Sequence, residues 1–394
     1  LSLNLYMHGG IQRVVPCILN TLVNTHDITV LMPYDEGKDQ NIFQLSEKIK
    51  IVNLSKFPKH NKKTFLGALS LALWKINKKI GFLDFELFNP IASRIMFSKM
   101  QKKTLIQYFN DENFDVVIGI TDYYSLLLGI LSPDIKAATI GWQHNTFESY
   151  FDLRGKNSCG LKKLCKKEFA NLDKLFVLTD IDRVKYYNYF LKPTVTMYNP
   201  VAFSKQETTP CVDKNIIFVG RLYQYQKGLD YLVAIMKSIV AKRENTKLTI
   251  VGDGPDRDKL RKMIKENALD NNVELIGMTS DVRKYYANAS LFIHTSRYEG
   301  FGVVLLEALT FGLPVIAFHN NGPDEIISNG INGFLINQYD VDEFASKVVM
   351  LLENGELYKK MSSEAKLRAE DFSIEQIAKK FEDSIYELIS GKGN

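Results

Sequence analysis

The chain has 394 residues, more than one hydrophobic core serves, and 45% of them are apolar, so two domains are expected, each able to bury a sizeable core. A net charge of +5 with 24% charged residues is ordinary for a soluble protein. There is no apolar run of about 18 residues and no signal peptide pattern, which excludes a membrane-spanning reading and makes the cytoplasm the expected location, while Cys17, Cys159, Cys165 and Cys211 show no C-x-x-C spacing and read as reduced thiols rather than a zinc or disulfide framework.

Taken from the start, the chain opens LSLNLYMHGGIQRVV without an initiator Met. The Gly9-Gly10 turn and the helix-like Val14 to Leu22 should follow a full strand, so the expectation is that the true start and part of the first strand are missing, which weakens the first sheet if nothing replaces them. The Gly9 and Gly10 amides could face phosphate oxygens at the helix start, and a tight structural turn is the alternative.

Short β-branched runs then alternate with longer amphipathic stretches, the pattern of parallel sheets with crossover helices. Expected strands in the first half are Ile28 to Met32, Asp115 to Ile120, Ala138 to Trp142, Lys174 to Leu178 and Val195 to Tyr198. Between the first two, residues 56–103 carry ten Lys and one Arg against Asp84 and Glu86, a net +9. One reading is a solvated helix face; the other is an amphipathic surface on an anionic membrane, with Trp74, Phe82 and the Leu side chains dipping into lipid. No helix-turn-helix, zinc-finger or RNP pattern accompanies this segment, so nucleic acid is excluded as a partner. Asp122 ends one expected strand and is a candidate on the acceptor side. Trp142-Gln143-His144-Asn145 ends the next, where His144 could bond a sugar hydroxyl or relay a proton, or be structural.

Residues 201–213 are polar, contain Pro210 and follow Pro200, and read as a linker between a domain over 1–200 and another over 214–372. Strands expected in the second domain are Asn215 to Val219, Lys247 to Val251, Val273 to Ile276, Leu291 to His294, Pro314 to Ala317 and Gly333 to Ile336. Over 373–394 helical periodicity returns, with Ser373 as a candidate N-cap, and this helix is expected to pack back on the first domain.

The second domain holds the chemistry. Val219-Gly220-Arg221-Leu222 ends a strand, and Lys227-Gly228 follows; two cations at a strand-to-helix turn suit a diphosphate. Gly252-Asp253-Gly254-Pro255 reads as a turn. In HTSRYEGFGVVLLEALTFGLPVIAF, Glu307 stands in an apolar helix, where an ionised carboxylate must find donors or a polar ligand such as a sugar diol. Glu299, eight positions earlier, stands beside Gly300-Phe301-Gly302, whose amides can approach a ligand at the helix start.

In this order these residues resemble glycosyltransferase family 4, the glycosyl transferases group 1 kind: VGRL with KG, VGDGP, the E-x(7)-E pair Glu299 and Glu307, GLPVIA and GPDEIISNGINGFLI. Over the first domain only HGGIQRVV and the general βα rhythm carry the likeness, and Asn199-Pro200 stands where many members have Asn-Gly. The resemblance implies the GT-B fold, α/β with two Rossmann-like doubly wound parallel-sheet domains facing a central cleft. It implies a retaining, metal-independent hexosyltransferase with no cofactor beyond its nucleotide-sugar co-substrate, UDP-sugar by default. Arg221 and Lys227 would hold the donor diphosphate and Glu307 the ribose. Glu299 with the Gly300 to Gly302 backbone would address the sugar. Gly9 and Gly10 would close over the phosphates, Met278 and Thr279 would meet the base, and His144 would contact the sugar.

No carboxylate pair suits a glycosidase-like double displacement, so a front-face reaction is expected, with Arg221 and Lys227 stabilising the departing diphosphate. Asp180-Ile181-Asp182 falls on a helix start and does not read as a metal-binding D-x-D. The expected acceptor is a glycan or lipid-linked sugar in envelope polysaccharide synthesis, capsule or lipopolysaccharide included, with the enzyme peripheral at the inner face of the membrane. Competing readings are a nucleotide-sugar epimerase and a non-catalytic sugar-nucleotide-binding partner subunit. A dinucleotide dehydrogenase lacks its G-x-G-x-x-G fingerprint.

Overall fold

The computed structural model describes residues 1–6, 9–34, 41, 44–57, 65–152, 160–201, 215–279 and 281–392. Linker residues 202–213, Lys59, Lys62, Lys63, Cys159 and Cys211 lie outside the described residues. Two compact units form: Leu1–Tyr198 with Ile374–Asn394, and Asn199–Ser373.

In the first unit the strands are β1 (Thr29–Met32), β2 (Lys50–Asn53), β3 (Val116–Ile120), β4 (Ala138–Trp142), β5 (Lys174–Val177) and β6 (Thr194–Thr196). β1 pairs with β2, and β3 to β6 form a four-stranded sheet in sequence order, all parallel. Between the two sheets lie Leu1 and Ser2: Ser2 N donates to Leu31 O, Leu1 N to Ile118 O, and Ile120 N to Leu1 O. Leu1 and Ser2 thus connect the two sheets through backbone hydrogen bonds. Sequence reading missed β2, whose KIVN run is short and holds no fully buried side chain.

The phase of the helix Phe65–Ile80 corrects one expectation. Trp74 and Phe82 pack against the apolar core of this unit instead of facing outward. Buried Asn77 sets the phase: its amide donates to Gly160 O and its Oδ1 accepts from Leu83 N. The terminal helix Ile374–Lys392 also belongs to this unit. Phe381 packs on Trp142 and Phe176 at 5.2 and 5.5 Å between ring centroids, and Lys174 Nζ bonds Glu387 at 2.8 Å. No helix among the described residues is long and apolar enough to cross a membrane.

The second unit has β7 (Asn215–Val219), β8 (Lys247–Val251), β9 (Val273–Gly277), β10 (Leu291–His294), β11 (Val315–Phe318) and β12 (Gly333–Ile336). They form one parallel sheet in the order β12-β11-β10-β7-β8-β9. Strands β10 and β11 are buried at every residue, β11 being wholly apolar and β10 apolar up to its last residue, His294.

Candidate active site

The strand order of the second unit sets the position of its ligand site. β7 and β10, first and fourth in its sequence, are neighbours. Crossovers leave such a pair toward opposite sides, opening a crevice beyond the carboxyl ends of the two strands. Gly220 to Lys227 follow β7, and Thr295 to Gly302 follow β10, so the two motifs that sequence analysis singled out flank this switch point.

The turn after β7 is braced by the turn after β8. Gly220 N donates to Val251 O at 3.0 Å, Leu222 N to Asp253 O at 2.9 Å, and Gln224 N to the Asp256 carboxylate at 2.8 Å. Gly252 has φ +135°, and a Cβ there would overlap the Gly220 carbonyl oxygen. Gly252 to Pro255 therefore does more than turn the chain: it fixes the backbone that presents Arg221, which is exposed.

Lys227 ends the short helix Gln224–Lys227. That helix is strapped to the segment after β10: Thr295 Oγ1 donates to Lys227 O, Arg297 N to Gln226 O and an Arg297 guanidinium nitrogen to Gln224 O, each at 2.8 Å. Arg297 also pairs with Asp230 and stacks on Tyr231. The outcome is an ion pair between Lys227 Nζ and Glu299 Oε2 at 2.5 Å, its side chains 12% and 14% exposed.

His294, at the end of β10, completes this cluster and was read from sequence only as a strand end. Fully buried, it places Nε2 3.3 Å from Glu299 Oε2 and 3.1 Å from Ser296 Oγ. Burial lowers the His294 pKa despite the carboxylate beside it, so the ring is neutral and Nε2–H is the tautomer that two facing acceptors favour. Burial alone would raise the Glu299 carboxyl; Lys227 and His294 outweigh it and hold it well below the usual carboxylate range.

Glu299 leads into Gly300-Phe301-Gly302 and the helix Val303–Thr310. Gly302 adopts φ +88°, where Cβ-bearing residues are strained, and turns the chain into the helix. The Phe301 ring packs on Phe372 at 5.9 Å, which leaves only its backbone for a ligand. Glu307 is fully buried on this helix, and Tyr286 OH donates to its Oε2 at 2.9 Å. The sequence demanded a polar partner for this carboxylate; Tyr286, 21 positions upstream, is one. Glu299 and Glu307 thus hold different partners. Met278, 70% exposed, and Thr279 follow β9, beyond Gly277, whose amide carbonyl accepts from Gly252 N at 2.9 Å.

The remaining candidates lie in the first unit. Gly9 and Gly10 are exposed at the start of the helix Gly10–Leu22. Asp122 is buried in the first turn of the helix Thr121–Leu131, directly after β3, where Thr121 takes φ +77°. His144 lies just past β4, 4.4 Å from the Trp142 ring, and its Nε2 is enclosed without a hydrogen-bond partner among the described residues. Burial pushes its pKa down to about 3, so it is a neutral imidazole with a ring nitrogen available to a hydroxyl. Asp180 and Asp182 start a helix capped by Thr179. Asp182 accepts from Phe147 N and Thr179, and Asp180 from Arg183 and Thr196, so both serve the fold.

The family described as glycosyl transferases group 1 matches residues 202–368. A relative in Haemophilus influenzae, described as an uncharacterized glycosyltransferase, is 29% identical over 95% of this chain and 96% of its own length. In Campylobacter jejuni, the GalNAc-alpha-(1->4)-GalNAc-alpha-(1->3)-diNAcBac-PP-undecaprenol alpha-1,4-N-acetyl-D-galactosaminyltransferase is 25% identical, with 96% of each chain covered. The solved structure of Anabaena HepE in complex with UDP and glucose superposes with a TM-score of 0.73 over 98% of both chains at 16% identity.

Proposed function

We propose that this chain, which folds as GT-B, is a glycosyltransferase of the glycosyl transferases group 1 kind acting in bacterial polysaccharide synthesis, as the family match over residues 202–368 and its glycosyltransferase relatives support, and that it is a retaining, metal-independent hexosyltransferase. It moves a hexose or N-acetylhexosamine from a UDP-sugar to a sugar hydroxyl of a glycan or lipid-linked acceptor at the inner face of the cell membrane. The observation that carries the donor half is the meeting of Lys227 and Glu299 at the β7/β10 switch point, with Arg221 exposed on the first of the two turns.

Arg221 and Lys227 bind the two phosphates, and Glu299 with the Gly300 to Gly302 amides takes hydroxyls of the transferred sugar. Met278 and Thr279 border the base. Glu307 takes the ribose hydroxyls once its enclosure opens, since in this arrangement no solvent reaches it. In the transfer step the acceptor oxygen forms a bond to C1 on the face that the phosphate leaves. The C1–O bond to phosphate breaks, and the acceptor proton passes to a phosphate oxygen. Attack and departure on one face retain the configuration. The cations stabilise charge developing on the diphosphate, where loss of one such group typically costs about 10² to 10³ in turnover. His144 offers its neutral Nε2 to a sugar hydroxyl, and Asp122 borders the acceptor side.

Calorimetric titration of the chain with UDP and with GDP in EDTA tests this reading, followed by the same titration on Arg221→Ala. Binding of UDP without metal, weakened in the variant along with transfer, is the expected result. Absence of binding to either nucleotide, or an Arg221→Ala enzyme with unchanged turnover, would refute it.

A further inference from the structure

Correcting the phase of the helix Phe65–Ile80 leaves a second surface unexplained. With Trp74 and Asn77 turned inward, Leu69, Ile76 and Ile80 stand outward, 42%, 47% and 59% exposed. At 3.6 residues per turn these three fall within an arc of about 40°. The chain then turns at Gly81 (φ +71°) and presents Phe85, Leu87 and Ile91, with Leu87 at 83% the most exposed large apolar side chain among the described residues.

These residues form one surface. The helix Phe65–Ile80 contacts the helix Asn89–Met96, which in turn contacts both the turn Glu86–Phe88 and the helix Lys162–Phe169. The last of these carries the exposed Lys163 and Lys167. Lys163 N donates to Asp84 Oδ1 at 2.7 Å, and its ammonium lies 3.9 Å from Glu86, directly beside Phe85 and Leu87. Lys163 and Lys167 are 45% and 60% exposed, and Lys75 and Arg94 are exposed on the two helices that carry Ile76 and Ile91. A globular core does not place six large apolar side chains outward in about 25 residues without something to cover them. Exposed cations around an apolar centre match a surface that is apolar within and anionic at its face, which is the chemistry of an anionic bilayer. A second copy of this chain would bring the same lysines against one another.

We infer that Leu69, Ile76, Ile80, Phe85, Leu87 and Ile91, rimmed by Lys75, Arg94, Lys163 and Lys167, form a docking face for an anionic lipid bilayer. The face lies wholly in the first unit and uses none of the residues assigned to the donor. Its failure therefore leaves the transferase reading untouched.

The test is sedimentation of the full chain with vesicles of phosphatidylcholine alone or with phosphatidylglycerol added. Ile80→Ser/Leu87→Ser and Lys163→Glu/Lys167→Glu are run beside the parent chain, with UDP titration and light scattering on each. Expected are binding to the anionic vesicles only, weakening with salt, and at least a tenfold loss of the partition coefficient in each double variant with UDP binding unchanged. Equal binding to both vesicle types, no binding to either, or undiminished binding by both variants would overturn the inference. A vesicle-free dimer that Ile80→Ser/Leu87→Ser converts to monomer would overturn it too, assigning the face to a second copy.

Discussion

The pair Lys227–Glu299 is where stability and donor binding meet, and a double-mutant cycle separates them. At 2.5 Å between Nζ and Oε2, an effective dielectric near 20 gives an attraction of about 7 kcal/mol. Desolvating each ion removes several kcal/mol of this. Removing one partner is the larger perturbation, because it strands the other: Lys227→Met takes away the cation of Glu299 and leaves it facing the neutral His294 ring. A buried charge stranded in this way costs about 3–5 kcal/mol, and the 14% exposure of Glu299 lets water in and favours the low end, about 3 kcal/mol. Glu299→Gln keeps the shape and frees Lys227 to extend, at about 1–2 kcal/mol. The double variant is expected near 2–3 kcal/mol, so the coupling is about 2 kcal/mol.

Both Trp residues, Trp74 and Trp142, lie in the first unit, so Trp fluorescence follows that unit while far-UV circular dichroism follows both. Urea unfolding of the four proteins by the two probes assigns the change to the second unit. Because the Glu299 carboxyl is held low in the fold, its contribution is complete above its unfolded value of about 4.5 and erodes as pH falls below that toward the folded one. Coupling below about 0.5 kcal/mol at pH 7 would mean that the pair carries no weight. UDP affinity unchanged in Lys227→Met would remove Lys227 from the diphosphate.

Three further changes probe the supports. Gly252→Ala would force a Cβ onto the Gly220 carbonyl at φ +135°, and a loss of about 2 kcal/mol or more in urea unfolding is expected, with weaker UDP binding as the Arg221 turn shifts. Phe381→Ala removes the ring lodged between Trp142 and Phe176; about 3–5 kcal/mol should be lost from the first unit, read by Trp142 fluorescence on unfolding. With His144 held neutral by a pKa near 3 against 6.5 unfolded, the unfolded chain binds the extra proton, so stability is full above pH 6.5 and falls with acid toward pH 3. His144→Gln should reduce the stability lost between pH 7 and pH 5 by about 2 kcal/mol; an unchanged acid slope would refute the burial argument.

What the sequence revealed tracks how local each determinant is. β4, β7, β8, β10 and β12 have the bounds expected of them because each is a short apolar run ended by Gly, polar or charged residues. β2 escaped because half-buried KIVN has no such contrast. The need of Glu307 for a polar partner was visible in its apolar flanks, but no spacing rule connects it with Tyr286. His294 was hidden in the same way: as the last residue of a buried strand it looked like core, and only the return of the Glu299 carboxylate gives its ring a task. Trp74 misled for a different reason. Composition shows that a helix has an apolar and a basic side, whereas Asn77, bonded to Gly160 and Leu83, decides which apolar residues face inward.

On the proposed mechanism, the roles of Lys227 and Glu299 are a single exchange rather than two separate contacts. A diphosphate that takes the Lys227 ammonium must displace Glu299 Oε2 from it, and the carboxylate so released keeps its charge because His294 still donates to it. A charged acceptor held at the switch point with one hydrogen bond already made is well placed for sugar hydroxyls. The strap from Arg297 and Thr295 to Gln224, Gln226 and Lys227 keeps the two backbones at fixed separation while the side chains trade partners. Donor recognition then requires rotamer changes at the β7/β10 crevice without movement of either turn, which is why the glycines that lock those turns matter as much to binding as the charges they carry.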